Sequence, residues 1–242
     1  IDAYMRENGG LITKKDLKNY RPIWRDTLHG TFNEYEIVTM GPPSSGGVHI
    51  IQMLNILENY DLVTMGHNSP TYAALLTESM KYAYADRSKY LGDPDFFDVP
   101  VQSLISKEYA KNIYEKIKLN AITPSEKILP GSELKHESLD TTHFSVADMN
   151  GNFVSNTYTL NSGFGSGVIV DGTGVLMNNE MDDFVSAPGV PNQFGLVGGE
   201  ANKIEPFKRP LSSMTPTIVL RDDKPIYATG SPGGSRIITT VL

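Results

Sequence analysis

Two hydrophobic patterns divide this chain of 242 residues. Over about the first 140, apolar side chains recur mainly at helical spacing; over the last hundred or so they alternate and are separated by glycine loops. A chain that groups helices ahead of strands reads as α+β rather than as a regular βαβ alternation. Residues 48–58 carry Ile51, Leu54 and Leu57 on one helical face. They follow Met40-Gly-Pro-Pro-Ser-Ser-Gly-Gly47, a loop that two prolines and three glycines keep irregular. Ser69 is placed to cap a second helix, with Pro70 at its first position, running to about residue 86. A third helix is expected over about 104–117, and Thr13-Lys-Lys-Asp16 resembles a capping box that starts a short one. Residues 23–28 and 35–39 read as strands joined through His29-Gly30.

Residues 120–139 are polar and aperiodic, the composition of an exposed linker. Beyond them, 142–148 and 153–159 form an expected hairpin around Asn150-Gly151, with Phe144 and Val146 on one face. A second hairpin, 217–220 with 226–229, turns at Asp222-Asp223. The chain opens at Ile1 within a helical pattern and stops at Leu242 within an apolar run. It therefore reads as a portion of a longer protein, with any targeting leader lying outside it.

Composition narrows the chemistry. A formal charge of −7 gives no basic face for a phosphate backbone. With no cysteine there is no disulfide, thiolate nucleophile or cysteine metal site. No apolar run approaches the roughly 20 residues of a membrane span. His29, His49, His67, His136 and His143 are scattered, without metal-ligand spacing. Gly163-Phe-Gly-Ser-Gly167 lacks the lysine of a phosphate loop, and no G-x-S-x-G elbow is present.

Four polar clusters remain: Asp140-Thr-Thr-His-Phe-Ser-Val146, Thr157-Tyr-Thr-Leu-Asn161, Asn178-Asn-Glu-Met-Asp-Asp-Phe184, and Arg209-Pro-Leu-Ser-Ser-Met-Thr-Pro216 with Gly230-Ser-Pro-Gly-Gly-Ser-Arg236. Spacing alone makes these loops, and side-chain chemistry does not single out Thr141 as a nucleophile. Residues 140–146 and 178–184, with Lys208-Arg-Pro-Leu-Ser-Ser-Met214 and Thr229-Gly-Ser-Pro-Gly-Gly-Ser-Arg236, in this order, closely resemble the γ-glutamyltransferases (γ-glutamyltranspeptidases). Pro42-Pro-Ser-Ser-Gly-Gly47 and Tyr82-Ala-Tyr-Ala-Asp-Arg-Ser-Lys-Tyr-Leu-Gly-Asp-Pro-Asp95 resemble the same family's large-subunit signatures, so the likeness spans essentially the whole chain.

The resemblance implies an N-terminal nucleophile hydrolase: a four-layer α-β-β-α sandwich, here an incomplete portion. Residues 1–140 would be the C-terminal part of a large subunit and 141–242 the N-terminal part of a small one, together one domain. A precursor would cut itself at Asp140–Thr141 to give a heterodimer. The freed α-amine of Thr141, with a reference pKa of about 7.7–8.0, would then activate its hydroxyl, so no separate histidine is needed. By the same resemblance Thr159 orients the nucleophile, and Gly233 and Gly234 supply the oxyanion hole. Asn161, Glu180 and Asp183 hold the substrate's α-amino group, and Ser212 and Ser213 its α-carboxylate. A further arginine that the family uses lies ahead of residue 1.

The lid position, a tyrosine in many bacterial members, is Phe194, which lacks the hydroxyl that bonds Asn161. The implied activity is hydrolysis and transfer of γ-glutamyl groups of glutathione and related compounds. Water, an amino acid or a dipeptide would be the acceptor, with no cofactor and no metal, in a periplasmic or secreted protein. Two alternatives stand beside it: an acylase for glutaryl-cephalosporin or poly-γ-glutamate, and an inactive, unprocessed precursor fragment.

Overall fold

A computed structural model describes residues 1–128, 141–187, 189–193 and 195–242. Asp140, Phe194 and most of the expected linker lie outside the described residues. In chain order the elements are α1 (Asp2–Glu7), α2 (Lys14–Asn19), β1 (Leu28–Phe32), β2 (Tyr35–Thr39), α3 (Gly46–Leu57), α4 (Leu62–Met65), α5 (Pro70–Tyr90), α6 (Val101–Leu104) and α7 (Lys107–Tyr114). There follow β3 (Thr142–Ala147), β4 (Phe153–Tyr158), β5 (Ile169–Val170), β6 (Val175–Leu176), β7 (Thr217–Arg221), β8 (Lys224–Thr229) and α8 (Ile237–Val241).

Local chemistry accounts for most boundaries. Thr13 and Asp16 form the reciprocal capping box of α2. Ser69 Oγ accepts from Tyr72 N–H at the start of α5, with Pro70 in the first turn. Asp222 and Asp223, both at positive φ, turn β7 into β8. Three expectations are corrected. The first strand is not 23–28: His29 and Gly30 lie inside β1, and the chain turns at Asn33, φ 52°. Gly30 is there for packing, since a Cβ on it would sit 2.6 Å from Ile51 of α3. The third helix does not start near 104, because Ser106 caps a fresh start at Lys107 and α6 is a separate turn. The second helix also runs past 86, to Tyr90.

The order β1-β2-β7-β8 forms one antiparallel sheet. Its inner strands are β2 and β7, from the two halves of the chain, with Ile37 opposite Val219. Those two side chains face a core of Ile50 and Met53 from α3, Ala83 from α5 and Ile238 from α8. The other face carries Val38 and Ile218, which look across a cavity of about 470 Å³ toward Ser155 of the β3–β4 hairpin. Ser155 Oγ closes this contact, donating to Thr229 C=O and accepting from Thr217 N–H. Helices, sheet and second sheet are thus three successive layers, and every described strand pair is antiparallel.

Helix α3 approaches the sheet closely because it starts on glycines. A Cβ on Gly47 would lie 2.1 Å from the Met40 carbonyl. Gly47→Ala should therefore destabilise the fold by about 1–3 kcal/mol, as overpacking does; a urea midpoint equal to wild type would show that α3 can shift to accommodate the methyl.

Candidate active site

Hairpin register creates the first functional pair. Thr142 pairs with Tyr158 across β3–β4, so the residues just beyond them, Thr141 and Thr159, are opposite one another. Thr141 Oγ1 donates to Thr159 Oγ1 at 3.4 Å, and Thr159 Oγ1 also accepts from Asn161 N–H at 2.8 Å. Asn161 is buried and held at φ 75°, a left-handed conformation that asparagine tolerates better than most residues. Its Nδ2 donates to Asn179 C=O. Asn179 in turn accepts from Ser162 N–H through Oδ1, which fastens the loop after β4 to the turn that follows.

That turn is the 3-10 segment Glu180–Asp183. Burial, then the charge of Glu180, pushes the Asp183 carboxyl up to about 8. Burial likewise raises Glu180, and the two carboxyls are hydrogen-bonded to each other. Two acids this close hold a proton between them. Glu180 Oε1 is shielded from solvent and meets no donor among the described residues. Asn202 completes the support: its Nδ2 donates to Asp183 C=O and its Oδ1 accepts from Leu211 N–H, beside the serine pair.

Ser212 and Ser213 are held from the first half of the chain. Ser45 N–H and Ser45 Oγ both donate to Ser212 C=O at 2.9 Å, and Ser212 N–H donates to Pro43 C=O at 2.8 Å. Ser212 Oγ accepts from Met214 N–H at 3.0 Å. Ser213 Oγ accepts from the buried Arg87 guanidinium at 3.1 Å. Gly233, at φ 131°, precedes the 3-10 turn Gly234–Arg236. Neither the Gly233 nor the Gly234 N–H meets an acceptor among the described residues.

One narrow pocket is lined by Thr141, Thr159, Asn161, Asp183, Ser212, Ser213 and Gly234. Of the residues expected from the sequence, Glu180 and Gly233 are not in this lining, each being next to or hydrogen-bonded to a residue that is, while Asp140 and Phe194 lie outside the described residues. Arg87, Ser45, Asn179 and Asn202 were not anticipated. The signal for the first three was present in the motifs around them, whereas Asn202 is an ordinary loop residue by sequence. The pocket brings together two hydrogen-bonded threonine hydroxyls, an acidic side chain suited to a cation, serine hydroxyls suited to an anion, and backbone N–H groups at a turn. The larger cavity between the sheets contains two arginines, Arg25 and Arg209, but no comparable acid pair or paired hydroxyls aimed at one point.

An antiparallel sheet with helices on one face and a second sheet on the other, and a pocket at the start of a strand, is the α+β architecture of the N-terminal nucleophile hydrolases. The γ-glutamyltranspeptidase family model matches residues 1–242, and the chain belongs to that family. The glutathione hydrolase proenzyme of Escherichia coli (strain K12) is 56% identical over 242 residues, 100% of this chain and 42% of that protein. A cephalosporin acylase crystal structure from Bacillus halodurans superposes with a TM-score of 0.73 at 27% identity, over 95% of this chain and 38% of that one. A Helicobacter pylori γ-glutamyltranspeptidase structure has a TM-score of 0.52 at 48% identity, over 54% of this chain and 37% of that one. The chain thus spans less than half the length of these relatives.

The shared proton has a thermodynamic signature. Asp183 is usually ionised above about 3.8 but in the fold only above about 8. Between those values the folded protein keeps a proton that the unfolded chain has released, so stability falls as pH rises through that window. Asp183→Asn should flatten this decline, measured as urea midpoints near pH 5 and near pH 8. A variant whose midpoint drops as steeply as wild type would refute the shared proton.

Proposed function

We propose that this chain belongs to a γ-glutamyl hydrolase and transferase acting on glutathione and related γ-glutamyl amides, with Thr141 as its nucleophile. The observation that carries the reading is the Glu180–Asp183 pair, with one shielded oxygen meeting no donor among the described residues, whose Asp183 lines the same pocket as Thr141, Ser212 and Ser213. A glutamyl group is zwitterionic at its α-carbon. Its ammonium would replace the shared proton at the acid pair, making charge-assisted hydrogen bonds there and to Asn161. Its carboxylate would receive the protons of Ser212 and Ser213. The γ-carbonyl would then lie at Thr141.

In the uncut chain the Thr141 nitrogen is an amide and cannot accept a proton. The proposed first reaction is attack of Thr141 Oγ1 on the Asp140 carbonyl, with transfer of the acyl group from nitrogen to oxygen. That shift breaks the Asp140 C–N bond and frees the Thr141 amine; water then hydrolyses the resulting ester, releasing residues up to 140 as one subunit and returning the Thr141 hydroxyl. That amine takes the hydroxyl proton as Thr141 Oγ1 attacks the γ-carbonyl. Gly233 and Gly234 N–H groups would face the oxyanion, a donor of this kind being worth about 3–4 kcal/mol of barrier. Collapse expels cysteinylglycine from glutathione and leaves a γ-glutamyl ester on Thr141. Water, an amino acid or a dipeptide then takes the acyl group. No cofactor enters these steps. The two subunits would remain together as a heterodimer, and the same proposal places the protein in the periplasm or outside the cell. Among the described residues no helix is long and apolar enough to cross a membrane.

The acylase alternative fits less well, because a glutaryl group has no ammonium and would leave the buried acid pair unmatched. The inactive-precursor alternative is separated by one experiment. Intact mass and N-terminal sequencing after incubation at neutral pH should show a new chain beginning Thr141-Thr-His-Phe144, and Thr141→Ala should remain a single chain without hydrolytic activity. An uncut wild-type protein would remove the hydrolase reading, and a cut elsewhere would remove Thr141 as nucleophile.

A further inference from the structure

Arg87 is buried in α5, with only 4% of its surface exposed. Burying a guanidinium without a counter-charge is costly, and folds normally supply a carboxylate partner. Here, among the described residues, no carboxylate lies within ion-pair distance of Arg87. Its Nε donates to Ser45 Oγ at 3.0 Å and its Nη2 to Ser213 Oγ at 3.1 Å. The fold thus holds a cation one hydroxyl away from the pocket, with no anion in contact with it.

The chemistry of the contact gives it direction. A guanidinium can only donate, so Ser213 Oγ must accept from it. A hydroxyl has one proton, and with its oxygen occupied by Arg87 that proton is left to donate elsewhere. Ser213 lines the pocket, where an acceptor can meet it. Ser212 is arranged in the same way, its oxygen occupied by Met214 N–H, another group that can only donate. Both serines are therefore set as donors toward one place, and the positive charge behind Ser213 makes an anion the preferred acceptor there. Asp183, the carboxyl whose field reaches Arg87, lines the same pocket without forming an ion pair with it, and the γ-glutamyl reading gives it the substrate's ammonium instead.

We infer that Arg87 is a positioning residue of the glutamyl pocket: it fixes the Ser213 hydroxyl as a donor to the substrate's α-carboxylate and sets a buried positive charge behind it. This rests on the γ-glutamyl reading above. It also adds to that reading, because it assigns selectivity for the α-carboxylate to a residue that does not touch the substrate.

The test uses the protein expressed from its own full-length gene and matured, with two anilide substrates: γ-glutamyl anilide, and 4-aminobutyryl anilide, which is the same molecule without the α-carboxylate. The readout is the ratio of their kcat/KM values. Arg87→Met should lower this ratio at least about tenfold, the scale of a hydrogen bond to a charged group, chiefly by raising KM for the γ-glutamyl substrate. Arg87→Lys, which keeps the charge but not the planar fork, should give an intermediate ratio. A residue needed only for folding would lower the yield of active enzyme or both rates in parallel, leaving the ratio unchanged, and that result overturns the inference. In a Ser213→Ala background, Arg87→Met should change the ratio little further; fully additive effects would overturn the route through Ser213. If Arg87→Met does not mature, Ser45→Ala, which removes one of the two hydroxyls holding the guanidinium, should lower the ratio about 2–5-fold, the scale of a neutral hydrogen bond, and an unchanged ratio overturns the inference equally. The two readings fail separately: wild type that hydrolyses neither anilide removes the γ-glutamyl reading, whereas wild type that hydrolyses the first with an Arg87-independent ratio removes only this one.

Discussion

The structure depends on a short seam between two segments far apart in sequence. Ser44 and Ser212 form a parallel bridge, flanked by backbone bonds between Ser45 and Ser212 and between Ser212 and Pro43. Ser44 Oγ adds a bond to Met214 C=O at 2.6 Å, spanning 170 positions of chain. Immediately beyond the seam β2 pairs with β7, which brings the two halves into one sheet. Closing so long a loop costs entropy before any contact offsets it. The seam's several hydrogen bonds and the core beneath it form together, so the pocket exists only once both halves are folded.

Beneath the seam the helices are tied by a buried polar chain. Tyr109 OH donates to Asp86, Gln52 Nε2 donates to Asp86 Oδ2 at 2.6 Å, and Gln52 Oε1 faces His49 Nδ1 at 3.0 Å. Burial pushes the His49 imidazole down to about 3, so it is neutral, and the glutamine oxygen requires its proton on Nδ1. Every donor in this chain has one acceptor to serve, which fixes the rotamers of α3, α5 and α7 against one another. Arg87 follows Asp86 in α5, so the guanidinium is aimed by a helix that has little freedom to rotate.

Much of the fold was legible because its causes are local. Capping residues, a proline in the first helical turn, Asn-Gly and Asp-Asp turns and the two alternating hairpins each act within a few positions. What was misread had a distant cause: Gly30 looks like a turn residue until Ile51 is seen against it. The site divides in the same way. The motifs point to Thr141, Asp183 and the serine pair, which line one pocket, but nothing in a sequence says that Ser213 will accept from a residue 126 positions earlier. Asn202 is equally silent, because an asparagine that staples two loops is the same residue as one that simply turns.

Thr141 and Thr142 are neighbours with identical side chains, and chemistry alone offers no reason to prefer one. The pleat of β3 supplies it. Successive residues point to opposite sides of a strand, so Thr141 shares a face with His143 and Ser145, while Thr142 shares the outer one with Phe144 and Val146. Only the first of these faces meets Thr159 and the pocket. The hairpin therefore acts as a reading frame: its turn, where Asp148 accepts from Asn150 N–H and Asn152 N–H, sets the phase from the far end of the strands. Adding or removing one residue there would leave every atom of Thr141 intact and turn Thr142 toward the pocket in its place.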